Sequence, residues 1–147
     1  VSDPGVADGD VRISTDPAEL DLDWIHDSLS ARAYWALGRT REQVETSIRN
    51  SLCFGAHVGP RQIGFARVVT DQATFAWICD VFVDEAFRGR GIGGRLMAEI
   101  VGDPRLQRLR RMILATSDAA ALYERYGFTP LDHPERWMER RALQGSG

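Results

Sequence analysis

The chain reads as an α/β domain with a central, mostly antiparallel mixed sheet of six to seven strands flanked by about four helices. Three observations predict this. Two segments with helical spacing come first, and three strand-like runs separated by short turns follow. The chain then alternates strand, helix, strand, helix, strand, which sets a parallel insertion beside an antiparallel meander.

In chain order, residues 1–10 are acidic, carry Pro and Gly, and read as a loose lead-in. Residues 11–14 make a first short strand. Trp24, Ile25, Ser28 and Leu29 then share one helical face, with Asp21 and Asp23 placed to cap its start. Thr40 and Gln43 have capping-box spacing and open a second helix that carries Val44 and Ile48 inward to about Asn50. Strands are expected at 52–57, 63–70 and 74–83, turning at Gly59-Pro60 and near Asp71. After a glycine-rich loop, Leu96, Met97, Ile100 and Val101 repeat at helical spacing until Gly102-Asp103-Pro104 ends the helix. Residues 112–116 form a further strand, and 119–126 a compact helix closed by Gly127. Phe128 begins a final strand-like stretch through Trp137 and Met138, and 142–147 read as a loose tail.

With 147 residues, 44% of them hydrophobic and 27% charged, the composition is that of one globular domain spanning 1–147. A net charge of −3 argues against general nucleic-acid binding. No apolar run reaches the roughly 20 residues that cross a bilayer, so no membrane partner is expected. The first residues have neither a basic nor an apolar leader segment, and the expectation is a cytoplasmic protein. Cys53 and Cys79 sit in apolar strand surroundings as buried thiols. His26, His57 and His133 lack metal-ligand spacing, so no metal is expected.

The segment that carries chemistry is Arg88-Gly89-Arg90-Gly91-Ile92-Gly93-Gly94-Arg95, between the strand ending Val81-Phe82-Val83 and the helix of Leu96 and Met97. Glycines let a backbone approach a ligand closely, and the unpaired N–H groups of a helix's first turn favour an anion. Arg88, Arg90 and Arg95 add forked donors suited to phosphate. A Walker A loop fails, because Arg95 and Leu96 stand where Lys and the magnesium-binding hydroxyl belong. Gly89, Gly91 and Gly94 spell the dinucleotide pattern, but 84–88 separate them from the strand, where that pattern needs a tight turn at once.

Arg88, Gly91 and Gly93 resemble the [R/Q]-x-x-G-x-[G/A] pyrophosphate loop of the GCN5-related N-acetyltransferase (GNAT) family. The segment Ala119-Ala120-Ala121-Leu122-Tyr123-Glu124-Arg125-Tyr126-Gly127-Phe128 is similar to that family's A-x-x-L-Y-E-K-x-G-F segment. The two motifs stand in the family's order, about thirty residues apart, and the resemblance covers essentially the whole chain.

The resemblance implies a GNAT-like fold and an acetyl-CoA-dependent N-acetyltransferase that uses no metal. Val81, Phe82 and Val83 would offer backbone groups to the pantetheine arm, which mimics an extended peptide. Gly89, Arg90, Gly91, Ile92, Gly93 and Gly94 would wrap the pyrophosphate, with Arg88 at its edge. Tyr123 matches the tyrosine that protonates the departing thiolate, or else packs against the cofactor. A phenol near pKa 10 is protonated at neutral pH and suits a thiol leaving group near 8.5. Tyr126 is expected to pack beside Gly127 and Phe128.

Two positions depart from the pattern. Thr116 stands where the family often has Asn, keeping a hydroxyl that can bond the cofactor. Trp77 stands where histone-type members have a catalytic glutamate, so that base is absent. Asp80 and Cys79 are the nearest alternatives, with His133 or Glu135 reaching in from the C-terminal segment, or a water chain serving instead. Asp80 has a structural alternative, a buried hydrogen-bonded carboxylate that holds the strand.

The acceptor pocket is expected between the first two helices, where Tyr34 and Trp35 stack on a substrate or simply pack, with Arg67 and Trp77 facing the same cavity. A small-molecule amine is the expected acceptor, ahead of a peptide N-terminus or lysine. A non-catalytic acyl-CoA-binding sensor is the reading of another class. Either a monomer or a homodimer is compatible with the sequence.

Overall fold

The computed structural model describes residues 10–31 and 38–142. The described residues hold one five-stranded sheet in the order β1-β2-β3-β4-β5. Its strands are β1 (Val11–Ser14), β2 (Leu52–Val58), β3 (Arg61–Thr70), β4 (Phe75–Val83) and β5 (Arg111–Ile113). The first four are antiparallel neighbours, and β5 joins β4 in parallel. The α-helices of these residues are α1 (Leu22–Ala31), α2 (Arg41–Arg49), α3 (Ile92–Val101) and the short α4 (Ala120–Glu124).

Each face of the sheet is covered, which is why β3 reads as an almost unbroken apolar run. Ala66 and Val68 point to α3, where Leu96, Met97 and Ile100 complete a fully buried cluster with Phe54 and Ile78. Phe65 points the other way, to Ile25 and Leu29 of α1 and Val44 of α2. Phe82 fastens the far end of β4 to that second cluster, its ring 5.1 Å from Trp24 and 5.8 Å from Phe65.

Local signals place the element ends. Asp21 caps α1 by accepting from the Trp24 N–H at 3.0 Å. Thr40 and Gln43 form the reciprocal capping box at the start of α2. In the β3–β4 turn, Asp71 accepts from the N–H groups of Ala73 and Thr74 and from the Thr74 hydroxyl, bonds that hold its carboxyl below the ordinary range.

The expected strand from Phe128 through Trp137 and Met138 does not form, so the sheet of the described residues has five strands rather than six to seven. Pro130 and Pro134 explain the difference. Each lacks the N–H that a strand ladder needs, and Pro134 opens a 3-10 turn at Pro134–Arg136. Residues 129–142 are exposed throughout. β5 stops at Ile113 and α4 spans Ala120–Glu124, both shorter than the sequence pattern suggests.

β4 carries a bulge that positions the site. Arg67 faces Cys79 and Phe65 faces Phe82, so β4 uses three residue steps where β3 uses two. Asp80 takes up the extra step in the left-handed region, at φ +53°.

Candidate active site

The parallel pairing of β4 with β5 ends at Trp77 and Ile113. Beyond it, β4 runs on to Val83 with β3 on one edge and no described strand on the other. The chain after β5 diverges, and the gap is a cleft of about 230 Å³. Ile78, Cys79, Asp80 and Val81 line one wall; Leu114, Ala115, Thr116 and Tyr123 line the other. Val81, Phe82 and Val83 therefore lie on a strand with an open edge, as an extended amide ligand requires.

Tyr123 reaches the cleft from the last turn of α4, its ring packed edge-on to Phe128 at 6.2 Å. Burial, together with the nearby Asp118 carboxylate, raises its pKa above the ordinary value of 10.0. The phenol is thus a neutral O–H donor at physiological pH. Tyr126 packs elsewhere: its hydroxyl lies 3.1 Å from where a Cβ on Gly94 would stand. The Thr116 hydroxyl accepts from the Ala119 N–H at 3.0 Å at the entry to α4, and retains a proton to donate.

Arg88 to Arg95 lead from the end of β4 into α3. Phe87, 1% exposed, anchors the loop from below, with the Arg61 and Arg90 guanidiniums each 5.2 Å from its ring centre. Gly89 and Gly91 have φ +79° and +75°, and Gly91 begins α3 without a side-chain cap. Nothing lies within 4 Å of a Cβ built on either, so backbone conformation rather than crowding demands these two glycines. Gly93 and Gly94 do different work, letting α3 approach Leu122 and Tyr126 of the α4 segment. With no side chain capping the start of α3, its first-turn amides are left without a side-chain acceptor, a fit to a pyrophosphate. Arg88 turns back instead, donating from Nε to the Val83 carbonyl at 3.2 Å.

Asp80 lies at the centre of a buried ionic group. Its Oδ2 accepts from Arg67 Nε and from Arg39 Nη1, both at 2.8 Å. Arg67 also donates to the Ser51 hydroxyl at 3.0 Å. Any ammonium proton seeking that oxygen competes with two guanidiniums. Cys53 and Cys79 flank Arg67 on the neighbouring strands. Burial pushes their thiols up to about 12 and about 11, so neither is a thiolate near neutrality.

Arg39 and Ser51 are the members of this group that sequence reasoning did not single out. A signal existed: Arg67 and Asp80 each interrupt an apolar strand run, and buried charges need partners.

Trp77 lies at the cleft mouth, 44% exposed. Tyr34 and Trp35 lie outside the described residues. His133 pairs with Glu135 at 3.4 Å on the exposed C-terminal segment, and neither lines this cleft. Among the described residues, no group of three or more His, Cys, Asp or Glu could hold a metal ion, and no helix is long and apolar enough to cross a membrane.

Comparison with known proteins agrees with this architecture. Residues 49–130 match the acetyltransferase (GNAT) domain. A Gibberella zeae protein assigned as an acetyltransferase is 33% identical over 78% of this chain and 76% of its own. The crystal structure of a Xanthomonas campestris protein assigned to the GNAT family superposes with a TM-score of 0.88 at 48% identity, over 92% of this chain and 97% of that one. A GNAT acetyltransferase from Elizabethkingia anophelis, solved with acetyl-CoA bound, shares the fold at 18% identity and a TM-score of 0.64, over 92% of this chain and 90% of that one. The chain belongs to the GNAT acetyltransferase family and is an acyltransferase enzyme.

Proposed function

We propose that this enzyme transfers an acetyl group from acetyl-CoA to the primary amine of a small molecule, with Tyr123 as general acid. The observation that carries the reading is that Tyr123, a neutral phenol, lines the cleft where β4 and β5 part, on the helix α4 that packs through Leu122 against Gly93 of α3. The unprotonated amine attacks the thioester carbonyl carbon, a C–N bond forms as the C–S bond breaks, and Tyr123 gives its proton to the departing sulfur. The phenolate regains a proton from solvent. The attacking nitrogen sheds its own surplus proton to water, as Asp80 Oδ2 is engaged by Arg67 and Arg39.

On the donor side, Val81, Phe82 and Val83 would hold the pantetheine arm, and the backbone of Gly89 to Gly94 the pyrophosphate, with Thr116 adding a hydroxyl. Trp77 would border the acceptor side, while Arg67 is buried in its bonds to Asp80 and Ser51 and lines none of the cavities described. The test is release of free CoA thiol across a panel of amines. Turnover with small amines and none with peptides supports the reading; activity confined to peptide termini or lysines replaces the acceptor; no thiol release with any amine removes it.

A further inference from the structure

A left-handed, buried aspartate inside a strand is an expensive arrangement. Asp80 stands at φ +53° with its side chain 2% exposed, where an apolar residue in ordinary strand conformation would avoid both penalties. Such a conformation persists only where the surrounding contacts over-determine it. Arg67 reaches Asp80 Oδ2 across the strand pair from β3, and Arg39 reaches the same oxygen from the segment before α2, both at 2.8 Å. Each guanidinium is on a tethered residue. Arg67 donates to the Ser51 hydroxyl at 3.0 Å. The Arg39 carbonyl accepts from the Ser30 hydroxyl of α1 at 2.6 Å, with His26 Nε2 3.1 Å from it.

What this grip controls is the phase of β4. Cys79 pairs with Arg67 and Phe82 with Phe65, so residues three steps apart on β4 share the α1–α2 side of the sheet. Without the extra residue, Val81 would face Phe65 and Phe82 would turn to the α3 side, since a one-residue slip reverses every side chain. With the bulge, Phe82 packs on Phe65 and Trp24, and Val81 and Val83 pack on the α3 cluster. The slip acts on the backbone as well. Residues along an antiparallel strand turn their N–H and C=O groups alternately to one neighbour and to the other. The bulge therefore selects which of residues 81–83 offer these groups to the open edge of β4.

We propose that Arg39 and Arg67 are positioning residues for acetyl-CoA: through Asp80 they lock the β4 bulge, and the bulge sets the edge that holds the pantetheine arm. Neither guanidinium acts on the reacting atoms. Arg39 comes from the segment between α1 and α2, so its ion pair also ties the first two helices to the cofactor strand. The inference rests on the donor half of the proposed function, acetyl-CoA seated along β4, and is independent of the acceptor.

The experiment compares the wild type with Arg39→Gln, Asp80→Gly and the double variant, each checked for folding by circular dichroism. Arg39 is the more exposed partner, 19% against 11% for Arg67, and its loss leaves Asp80 paired with Arg67. Asp80→Gly removes the grip but keeps a residue that tolerates positive φ. In the wild type, saturating acetyl-CoA should slow hydrogen exchange at 81–83 and at 89–94. In Arg39→Gln, again at saturation, protection at 89–94 should persist while protection at 81–83 is lost. Calorimetry should show acetyl-CoA binding about tenfold weaker. The double variant should bind no more weakly than Asp80→Gly alone, because Arg39 acts through Asp80. If Asp80→Gly does not fold, the exchange pattern of Arg39→Gln decides alone. Protection retained at 81–83 in folded Arg39→Gln overturns the proposal, and so does loss at both segments alike, which is general loosening. A further loss of affinity in the double variant also overturns it. All of this is read without an amine. Variants that match a wild type binding acetyl-CoA overturn this proposal alone; a wild type that binds none overturns both readings; absent thiol release overturns only the proposed function.

Discussion

Asp80 combines two costs, a left-handed backbone and a buried charge, and Arg67 and Arg39 offset the second. Replacing it with Asn keeps a residue that tolerates positive φ and removes the charge, so the two costs can be separated. Asp80→Asn should lower unfolding free energy by about 3–5 kcal/mol, because Arg67 is left buried without its counter-ion. Urea titration followed by fluorescence measures this. Tyr123→Phe should leave the fold and the KM for acetyl-CoA nearly unchanged while kcat falls about 100-fold or more. Because burial raises the Tyr123 pKa, the wild-type kcat should show no alkaline decline below about pH 10. A decline well below that would remove Tyr123 from the acid role.

Among the elements, the loop and α3 show how four glycines divide two tasks. Gly94→Ala brings a methyl within 3.1 Å of the Tyr126 hydroxyl and should lower the melting temperature. Tyr126→Phe removes that hydroxyl, so the double variant should recover most of the loss, a coupling that a thermal double-mutant cycle reads directly. Gly91→Ala meets no neighbour but forces a left-handed alanine, costing about 1–2 kcal/mol, and should weaken acetyl-CoA binding measured by calorimetry. The loop and α3 were legible in the sequence because glycine spacing and apolar periodicity are local signals. The bulge at Asp80 was not, since its cause is register against β3, which no neighbour in sequence specifies. The C-terminal strand was misread for a related reason: Phe128, Trp137 and Met138 suggest a strand, but Pro130 and Pro134 between the first two prevent its ladder.

At the scale of the whole molecule, both sheet faces are closed by helices, and buried neutral groups make the fold sensitive to alkali. Cys53 rises from 9.0 to about 12, Cys79 from 9.0 to about 11, and Tyr123 rises above 10.0. Each folded value lies above its unfolded one, so the unfolded chain releases these protons first as pH rises. The stability they contribute is fully present below about pH 9 and is lost progressively as pH climbs through the folded values. Melting temperature should therefore fall between about pH 9 and 11, and less steeply in Cys53→Ala and Cys79→Ala. A flat profile over that range would show that the thiols are not shielded in solution.

The sequence by itself determined the two helical caps, the meander, the glycine-rich loop into α3, and the family, because each rests on residues close together in the chain. It brought Tyr123 forward as a candidate acid through the motif around it. Only the tertiary structure decided that β4 and β5 part to open the cleft, that Arg39 and Arg67 converge on Asp80, and that β5 stands last in the sheet of the described residues. These are long-range outcomes: strand register, the pairing of buried charges and the course of the chain after Trp137 depend on what packs across the sheet.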